Sequence, residues 1–343
     1  MMHNLLQAGA DYVALRCDVD LPDPHPLAES WASQRDFTLP DMARELYRLP
    51  PDVGPGELSR AIHSTDFGES LATGLSRLVR AGYGRQAARW SPLLIDAPTR
   101  GLRPIQLPTL DLGEIQEVPK AGGIPLALAT IGEGETLQPA MYAVRFLISR
   151  ELLLSDGIEV MQAIVNQLVG QAARLTPRLI GAAIVANANL NDGSPLIGAG
   201  NTTSADGLDL SALGEAMALL RNATTDSGNT ANAEPRFLLV PPSREAAART
   251  LIAAMSADAP ALEVLPSPWI GSDCYVVADP ADLPTFARTY PRGIDPVPSV
   301  ERGPSRQMLE DGSVEHYDGQ AFEFGHYIGV AAVGRGIAKI PAA

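Results

Sequence analysis

The spacing of hydrophobic and polar positions predicts a mixed α+β protein. In the segment "STDFGESLATGLSRLVRAGYG", hydrophobic residues from Phe67 to Val79 recur at helical spacing, which predicts an amphipathic helix. Gly82 and Gly84 are expected to end this helix, because glycine disfavours a helix interior. The following segment "WSPLLIDAP" predicts a short strand.

Residues 104–138 contain two extended runs, "TLDLGEIQEV" and "GIPLALATI", on either side of a turn at "PKAGG". Alternating hydrophobic residues share one face of each run: Leu110 and Leu112 in the first, and Ile124, Leu126 and Leu128 in the second. A two-stranded ribbon is at best marginally stable in water. We therefore expect this arm to lie either on its own domain or on a neighbouring subunit.

A strand and a long helix follow the arm. Alternation from Tyr142 to Ile148 predicts a strand whose even-numbered residues share one face. Starting at Ser155, a good N-cap, a nearly uncharged helix is predicted to run to about Asn187. Pro177 should kink this helix, because proline removes a backbone hydrogen bond. A helix with so little polar surface is expected to be buried or packed on both sides.

Beyond a polar loop, helical and extended patterns alternate. The segments "LSALGEAMALLRNA" and "SREAAARTLIAAM" predict helices, whereas "RFLLVPP", "ALEVLP" and "CYVVADP" predict strands. Together they predict a compact α/β unit, and the alternating run "AFEFGHYIGVAAV" predicts a long closing strand.

Residues 1–60 have the least regular pattern. The segments "DLPDPHPLAES" and "RLPPDVGPGE" are rich in proline, and only "LPDMARELYRL" between them predicts a short helix. We therefore expect a flexible, acidic N-terminal extension.

Charge is unevenly distributed along a chain whose net charge is −14. The acidic total argues against a dedicated DNA-binding protein, which usually carries a basic surface. Residues 64–103 contain six arginines and three acidic residues, whereas residues 104–140 contain five acidic residues and one lysine. This contrast predicts pairing between the basic segment and the acidic arm, with a solvated surface as the alternative.

The sequence contains no pattern typical of catalysis or cofactor binding. It has no P-loop, zinc-protease or nucleophile-elbow motif, and "GYGRQA" follows a predicted helix where a dinucleotide fingerprint requires a strand. "IGEGET" is expected to be a turn. The only cysteines, Cys17 and Cys274, provide neither a disulfide framework nor zinc-site spacing. We predict no catalytic residue, cofactor, metal or membrane-spanning segment.

Several segments in a fixed order carry a resemblance to a known family. They are "HSTDFGESLATGLSRLVRAGY", "YAVRFLISRELLLSDG" with its long helix, "GSPLIGAGNTT", "PRFLLVPPSREAAARTLI" and "YVVADPADLPTFARTY". From about Ile62 to Val333 the chain resembles the major capsid proteins of tailed phages with the Hong-Kong-ninety-seven fold. The resemblance is nearest to Mu-like major head subunits and to capsid proteins fused to a prohead protease.

The resemblance implies a domain organisation. A flexible extension (1–60) precedes an N-terminal arm with a helix (61–103), an extended β-hairpin loop (104–138), a peripheral domain with a long spine helix (139–188 and 316–343) and an α/β axial domain (189–315). The implied function is non-catalytic: self-assembly into an icosahedral shell around double-stranded phage DNA.

The implied partners are other copies of the chain, arranged as pentamers and hexamers, and packaged double-stranded DNA bound without sequence specificity. A portal, a scaffold or separate prohead protease and a decoration protein are further implied partners. The chain would be a virion component that assembles in the host cytoplasm, without a cofactor or a membrane.

The arm supplies the candidate contacts between subunits. They are Leu110, Leu112, Glu114, Glu117, Ile124, Leu126, Leu128 and Glu133, with Arg77, Arg80, Arg85 and Arg89 as basic partners. Some relatives join subunits by a Lys–Asn isopeptide bond, for which Lys120 at the predicted arm tip is the candidate donor. A solvated lysine at a turn is the alternative.

Two other functions remain open at the level of sequence. One is an encapsulin-like compartment, with the same fold but an enzyme as cargo. The other is an α/β enzyme with a site in residues 189–315, which predicts a small oligomer and a polar pocket.

Overall fold

The computed structural model describes residues 2–111, 130–224, 229–255, 261–304, 306–308, 314–316 and 318–342. The helices in these residues are α1 (Met2–Arg16), α2 (Pro26–Ser33), α3 (Leu39–Tyr47), α4 (Pro55–Ile62), α5 (Thr65–Ala87), α6 (Arg150–Leu154), α7 (Ile158–Ala173), α8 (Leu175–Ala186), α9 (Leu210–Arg221) and α10 (Glu245–Ala254). The strands are β1 (Leu94–Thr99), β2 (Ile105–Asp111), β3 (Thr130–Leu137), β4 (Ala140–Ser149), β5 (Pro235–Val240), β6 (Glu263–Pro266), β7 (Cys274–Ala278), β8 (Phe286–Pro291), β9 (Ser299–Arg302), β10 (Arg306–Met308), β11 (Val314–His316), β12 (Gly319–Ala332) and β13 (Ile337–Ile340).

The chain forms two compact units, each assembled from three stretches of sequence. Unit 1 consists of Met1–Gln86, Met141–Ala173 and Asp295–Tyr327, and unit 2 of Ala87–Ala140, Arg174–Ile294 and Ile328–Ala343. These bounds differ from those that the resemblance implies. Residues 328–343, expected in the peripheral domain, belong to unit 2, because β13 pairs with β7 of the α/β sheet.

Unit 2 is organised around a four-stranded sheet with the order β13-β7-β5-β6. Strand β5 pairs in parallel with β6 and antiparallel with β7, and β7 pairs antiparallel with β13. Because successive side chains of a strand point to opposite faces, Leu238 and Val276 pack with Leu213 of α9, whereas Phe237 and Val277 pack with Ile180 of α8. Helices therefore cover both faces, which agrees with the predicted α/β unit.

A second set of strands in unit 2 carries the base of the arm. Strand β1 pairs in parallel with β8, from Leu94 opposite Phe286 to Thr99 opposite Pro291. The end of β12 pairs antiparallel with β8, with Gly329 opposite Thr289. A Cβ atom at Gly329 would lie 2.3 Å from the backbone oxygen of Gln138, so glycine is required at this close approach.

The N-terminal residues are helical and packed, so the expected flexible extension is wrong for the described part of this segment. The aromatic rings of Tyr12, Trp31 and Phe37 form one cluster, with centroids 5.2 Å apart for Tyr12–Phe37 and 5.3 Å for Trp31–Phe37. Tyr12 is fully buried, and its hydroxyl donates a hydrogen bond to the Phe37 carbonyl. Burial raises the pKa of Tyr12 to about 12, so this hydroxyl stays protonated and can donate.

Three prolines of this region lie at the starts of helices. Helices α2, α3 and α4 each have a proline in the first two positions, where the missing N–H has no helical partner in any case. The short helix predicted in "LPDMARELYRL" is confirmed as α3, and Thr38 and Asp41 form a capping box at its start.

Buried polar contacts fasten the N-terminal helices to the rest of unit 1. The Asp11 carboxylate is 1% exposed, forms an ion pair with Arg77 of α5 and accepts a hydrogen bond of 2.7 Å from the His25 backbone N–H. The Asp156 carboxylate accepts a 3.0 Å bond from Arg16 and a 2.8 Å bond from the Leu39 N–H. These contacts join residues far apart in sequence, so they hold the segment in place.

Helix α5 continues to Ala87, through both glycines that were expected to end it. Glycine inside a helix costs about 1 kcal/mol relative to alanine, a cost that packing can offset. A Cβ atom at Gly74 would lie 2.7 Å from the Cβ of Val13, and one at Gly82 would lie 3.2 Å from a Val169 methyl carbon. The glycines of α5 therefore allow close helix packing.

The single long helix predicted from Ser155 to Asn187 is instead two helices that meet at Arg174. Pro177 explains the break, because it cannot donate a hydrogen bond to the carbonyl of Ala173 and its ring crowds that carbonyl. Asn187 ends α8 in the left-handed conformation (φ 42°), as predicted for the C-terminal boundary. Ser155 follows α6 as its C-cap and is not an N-cap.

We expect Asp11→Ala to lower the free energy of unfolding by about 2–3 kcal/mol, because it leaves the Arg77 guanidinium and the His25 N–H without their buried acceptor. Urea denaturation followed by circular dichroism measures this change. Asp36→Ala is the matched control: Asp36 is exposed in the same segment, so its effect should stay within about 0.5 kcal/mol. Equal, small effects for the two variants would show that the contacts of Asp11 contribute no stability.

Candidate assembly interface

The base of the predicted arm is an antiparallel pair of strands, β2 and β3. Ile105 lies opposite Leu137 and Asp111 opposite Thr130. Among the described residues these two strands form a sheet of their own, without a third strand. The predicted ribbon is therefore present at its base, and its two edges carry backbone groups that no other described strand satisfies.

A bulge interrupts this ribbon where Pro108 lies in β2. The register shifts between Leu107 and Thr109, as proline without an N–H disrupts the ladder of hydrogen bonds. A Cβ atom at Gly134 would lie 1.4 Å from the Leu107 carbonyl oxygen, so only glycine fits opposite the bulge. The expected turn at "IGEGET" is thus wrong, because the segment belongs to β3.

An apolar cluster anchors the base of the ribbon in unit 2. Leu137 is fully buried and packs with Ala97, Ala287 and Val333. Hydrophobic residues of the ribbon itself, including Ile105 and Leu107, pack against the same cluster. The base therefore has its own hydrophobic support, which a free two-stranded ribbon lacks.

Polar contacts add a second attachment. Glu135 of β3 accepts a hydrogen bond of 2.5 Å from the Asn191 N–H, and the neighbouring Asp192 pairs with Arg335 at 2.5 Å. The hydrogen bond from the Ser194 backbone N–H is the largest cause that lowers the pKa of Asp192, and Arg335 lowers this pKa further. The Asp192 carboxylate is therefore ionised at neutral pH. The loop after α8 and the base of the arm are thereby tied together.

Most of the predicted arm contacts lie outside the described residues. These are Leu112, Glu114, Glu117, Ile124, Leu126 and Leu128, together with the candidate cross-link donor Lys120 and the predicted turn. For Leu110 and Glu133 the structure describes the backbone, in β2 and β3 respectively. Their contacts with a neighbouring subunit stay predictions.

The four predicted basic partners differ in their availability. Arg77 is engaged by Asp11 within unit 1, and Arg89 donates a 2.7 Å hydrogen bond to the Val264 carbonyl within unit 2. Arg80 forms an exposed pair with Asp295 at 2.8 Å, and Arg85 is exposed. Exposed pairs contribute little stability, so Arg80 and Arg85 remain the accessible members of the set.

The pattern of the sequence did not reveal several residues that build the arm's base. Gly134, Glu135 and Asn191 act through contacts that join β2, β3 and a distant loop. One local signal did exist, because a proline in one strand and a Gly-x-Gly segment in the next indicate an irregular ladder. The partner of Glu135 lies 56 residues away and has no such local signal.

The described residues contain no group of His, Cys, Asp and Glu side chains that could hold a metal ion. Cys17 and Cys274 are both buried, and burial raises the pKa of the Cys17 thiol to about 11. A thiol that stays protonated is a poor nucleophile. None of the described helices meets the length and hydropathy needed to span a bilayer.

Comparison with solved structures gives likenesses at low identity. One from Mycobacterium phage Bobi is 14% identical, covers 75% of this chain and 90% of that chain, and has a TM-score of 0.48. One from Microbacterium phage Oxtober96 is 11% identical, with 73% and 90% covered and a TM-score of 0.47. A virus-like particle from Pyrococcus furiosus is 15% identical, with 78% and 97% covered and a TM-score of 0.44. No curated protein matches the chain.

The assignment to a family comes from the sequence itself. Residues 133–340, well over half of the chain, match the family model described as phage capsid protein. The matched region begins in β3, at the base of the arm, and ends with β13. It includes the helices and strands that build the α/β sheet of unit 2. The chain therefore belongs to the phage capsid protein family and is a major capsid protein, a structural subunit of an icosahedral shell.

Proposed function

We propose that the arm built on β2 and β3 holds the shell together by docking on a neighbouring subunit. One observation carries this proposal: the ribbon is anchored at its base by Leu137, yet no other described strand pairs with either of its edges. Such a ribbon gains stability when a second surface covers it. A neighbouring copy supplies that surface repeatedly around a closed shell, so weak contacts are multiplied.

We further propose that the copies are arranged in pentamers and hexamers and that the shell encloses double-stranded DNA. The net charge of −14 favours containment of DNA without tight, sequence-specific binding. A portal, a scaffold or separate prohead protease and a decoration protein would act on the same particle, which would assemble in the host cytoplasm. The subunit itself would have no catalytic role.

The two alternative functions predict different particles. An encapsulin-like compartment would contain an enzyme as its cargo, and an α/β enzyme would form a small oligomer. Electron microscopy of the purified protein, combined with nuclease-protected nucleic acid and mass spectrometry of the contents, separates the three. Closed shells with protected double-stranded DNA, isolated from phage-producing cells, are the expected result.

Deletion of Leu110–Thr130 should give a folded subunit that forms no shells, because the deletion removes the distal arm and retains its buried base. Sedimentation and electron microscopy measure assembly, and circular dichroism measures folding. Particles of normal yield and size from this variant would exclude the proposed role of the arm.

Gly134→Ala should impair assembly in the full-length chain, since the new Cβ atom would collide with the Leu107 carbonyl oxygen and displace the two strands at the bulge. The loss of subunit stability is expected to stay below about 3 kcal/mol, the usual range for one substitution. Gly214→Ala is the matched control, because a Cβ atom there has no neighbour within 4 Å. Equal shell yields for the two variants would show that the geometry of the bulge does not matter.

A further inference from the structure

A patch of basic and apolar side chains lies at one end of the β1–β8 pair in unit 2. It consists of Arg100, Leu102, Arg103, Arg292 and Ile294, which we call the turn patch. All five residues are exposed, and the large hydrophobic side chains of Leu102 and Ile294 are 47% and 43% exposed. The turn patch therefore combines positive charge with apolar surface, a combination found where proteins meet.

Backbone geometry brings the two halves of the turn patch together. Thr99 and Pro291 are the last paired residues of β1 and β8, so residues 100 and 292 leave the strands side by side. The Arg292 N–H donates a 2.6 Å hydrogen bond to the Thr99 carbonyl. Gly101 (φ 84°) and Gly293 (φ 90°) adopt a left-handed conformation that forms the two tight turns.

The Thr99 side chain adds further hydrogen bonds at this end of the strands. Its hydroxyl lies 2.6 Å from the Gly101 carbonyl oxygen and 3.3 Å from that of Tyr290 in β8, so it can donate a hydrogen bond to either carbonyl. Thr99 is itself only 1% exposed. The turn patch is therefore held on a buried hydrogen-bonded base, and its side chains are presented from fixed backbone positions.

The positive charge of the turn patch is uncompensated within the described part of the subunit. No described carboxylate lies within ion-pair distance of Arg100, Arg103 or Arg292. In contrast, Arg288 on the same strand β8 pairs with Asp96 at 2.7 Å. With 40 acidic and 26 basic residues in the chain, unpaired arginines side by side indicate an acidic partner outside the subunit.

We propose that the turn patch is the docking site for residues 109–118 of the arm of a neighbouring copy. This inference rests on the proposed function of the arm. The sequence "TLDLGEIQEV" places the acidic residues Asp111, Glu114 and Glu117 among hydrophobic ones. Guanidinium groups bind carboxylates through paired hydrogen bonds, and Leu102 and Ile294 offer contact surface for the hydrophobic side chains.

The turn patch fits the acidic arm better than the four arginines that the sequence predicted as its partners. Arg77, Arg80, Arg85 and Arg89 each have a side-chain partner inside the subunit. Among the described residues, the three arginines of the turn patch have no ion-pair partner. A nucleic acid is the other polyanion in such a particle, and its phosphates would also pair with arginine. The exposed leucine and isoleucine favour a protein partner, because a phosphate backbone offers no matching apolar surface.

Charge reversal of the turn patch tests this docking. The variant Arg100→Glu/Arg103→Glu/Arg292→Glu should lose shell assembly while the subunit remains folded, since all three side chains are exposed. The matched control Arg35→Glu/Arg60→Glu/Arg221→Glu changes the net charge equally at exposed arginines elsewhere and should assemble normally. If the reversed variant misfolds, Arg100→Gln/Arg103→Gln/Arg292→Gln replaces it, with the same expected loss of assembly.

Rescue identifies the partner. Adding Asp111→Arg, Glu114→Arg and Glu117→Arg to the reversed chain restores opposite charges on every pair of neighbours, so shells should reappear. Normal assembly of the reversed variant, or failure of the rescue, would overturn the inference. Normal shells that lack nucleic acid would also overturn it and would assign the turn patch to the packaged DNA.

Comparison of the reversed variant with the arm deletion separates the proposed docking site from the proposed function of the arm, on which it rests. If the unmodified chain forms shells and the arm deletion does not, but the reversed variant assembles, the arm functions at another site. If the arm deletion assembles normally, the proposed function of the arm fails together with the inference. Reversal of Arg80 and Arg85 alone provides the comparison with the site that the sequence predicted, and it should leave assembly unchanged.

Discussion

The arm of this subunit depends on how its two-stranded ribbon is supported. Two paired strands bury too little surface to remain folded alone. Here the base of the ribbon is supported by the buried Leu137 and its apolar cluster, and by the hydrogen bond between Glu135 and the Asn191 N–H. That support is local to the base, and under the proposed function a neighbouring copy supplies the surface for the remainder of the arm. Association with a second copy would then contribute to the stability of the arm.

The regular parts of the fold could be predicted because their pattern is local. Strand β5 and strand β7 are apolar runs whose alternate residues face α9 on one side and α8 on the other, and such runs indicate a sheet covered on both faces. Helices α2 and α4 were missed because their prolines were interpreted as breaks. At Pro26, Pro40 and Pro55 the proline lies in the first turn, where it favours a helix. The pairs Asp11–Arg77 and Asp156–Arg16 connect this region to the rest of unit 1, and no local pattern contains these pairs.

The difference between local patterns and contacts that are distant in sequence also explains what could be predicted of the candidate site. Alternating residues predicted a ribbon, whose base the structure describes, because the alternation is visible in a short window of sequence. Opposite charges predicted an ionic contact, which stays a prediction. The identity of the available arginines was not visible, because it depends on which guanidinium groups the fold has already paired. Arg77 is occupied by Asp11, which is 66 residues distant, and Arg89 by a carbonyl 175 residues distant. Thr99 and Arg292 meet only because β1 and β8 pair in parallel.

The acidic character of the chain sets the range over which these contacts act. Copies with a net charge of −14 repel one another at a distance, whereas an arginine next to a carboxylate attracts at contact. At physiological ionic strength the repulsion is screened beyond about 8 Å, and a partly desolvated contact is screened much less. Under the proposed docking, moderate salt would therefore let subunits approach without removing the arginine–carboxylate pairing between them. Higher salt would weaken the exposed pairs as well and would leave Leu102 and Ile294 as the remaining attraction at the proposed docking site. Assembly should therefore be greatest at intermediate ionic strength, because salt screens the repulsion between the acidic copies before it weakens the arginine–carboxylate pairs.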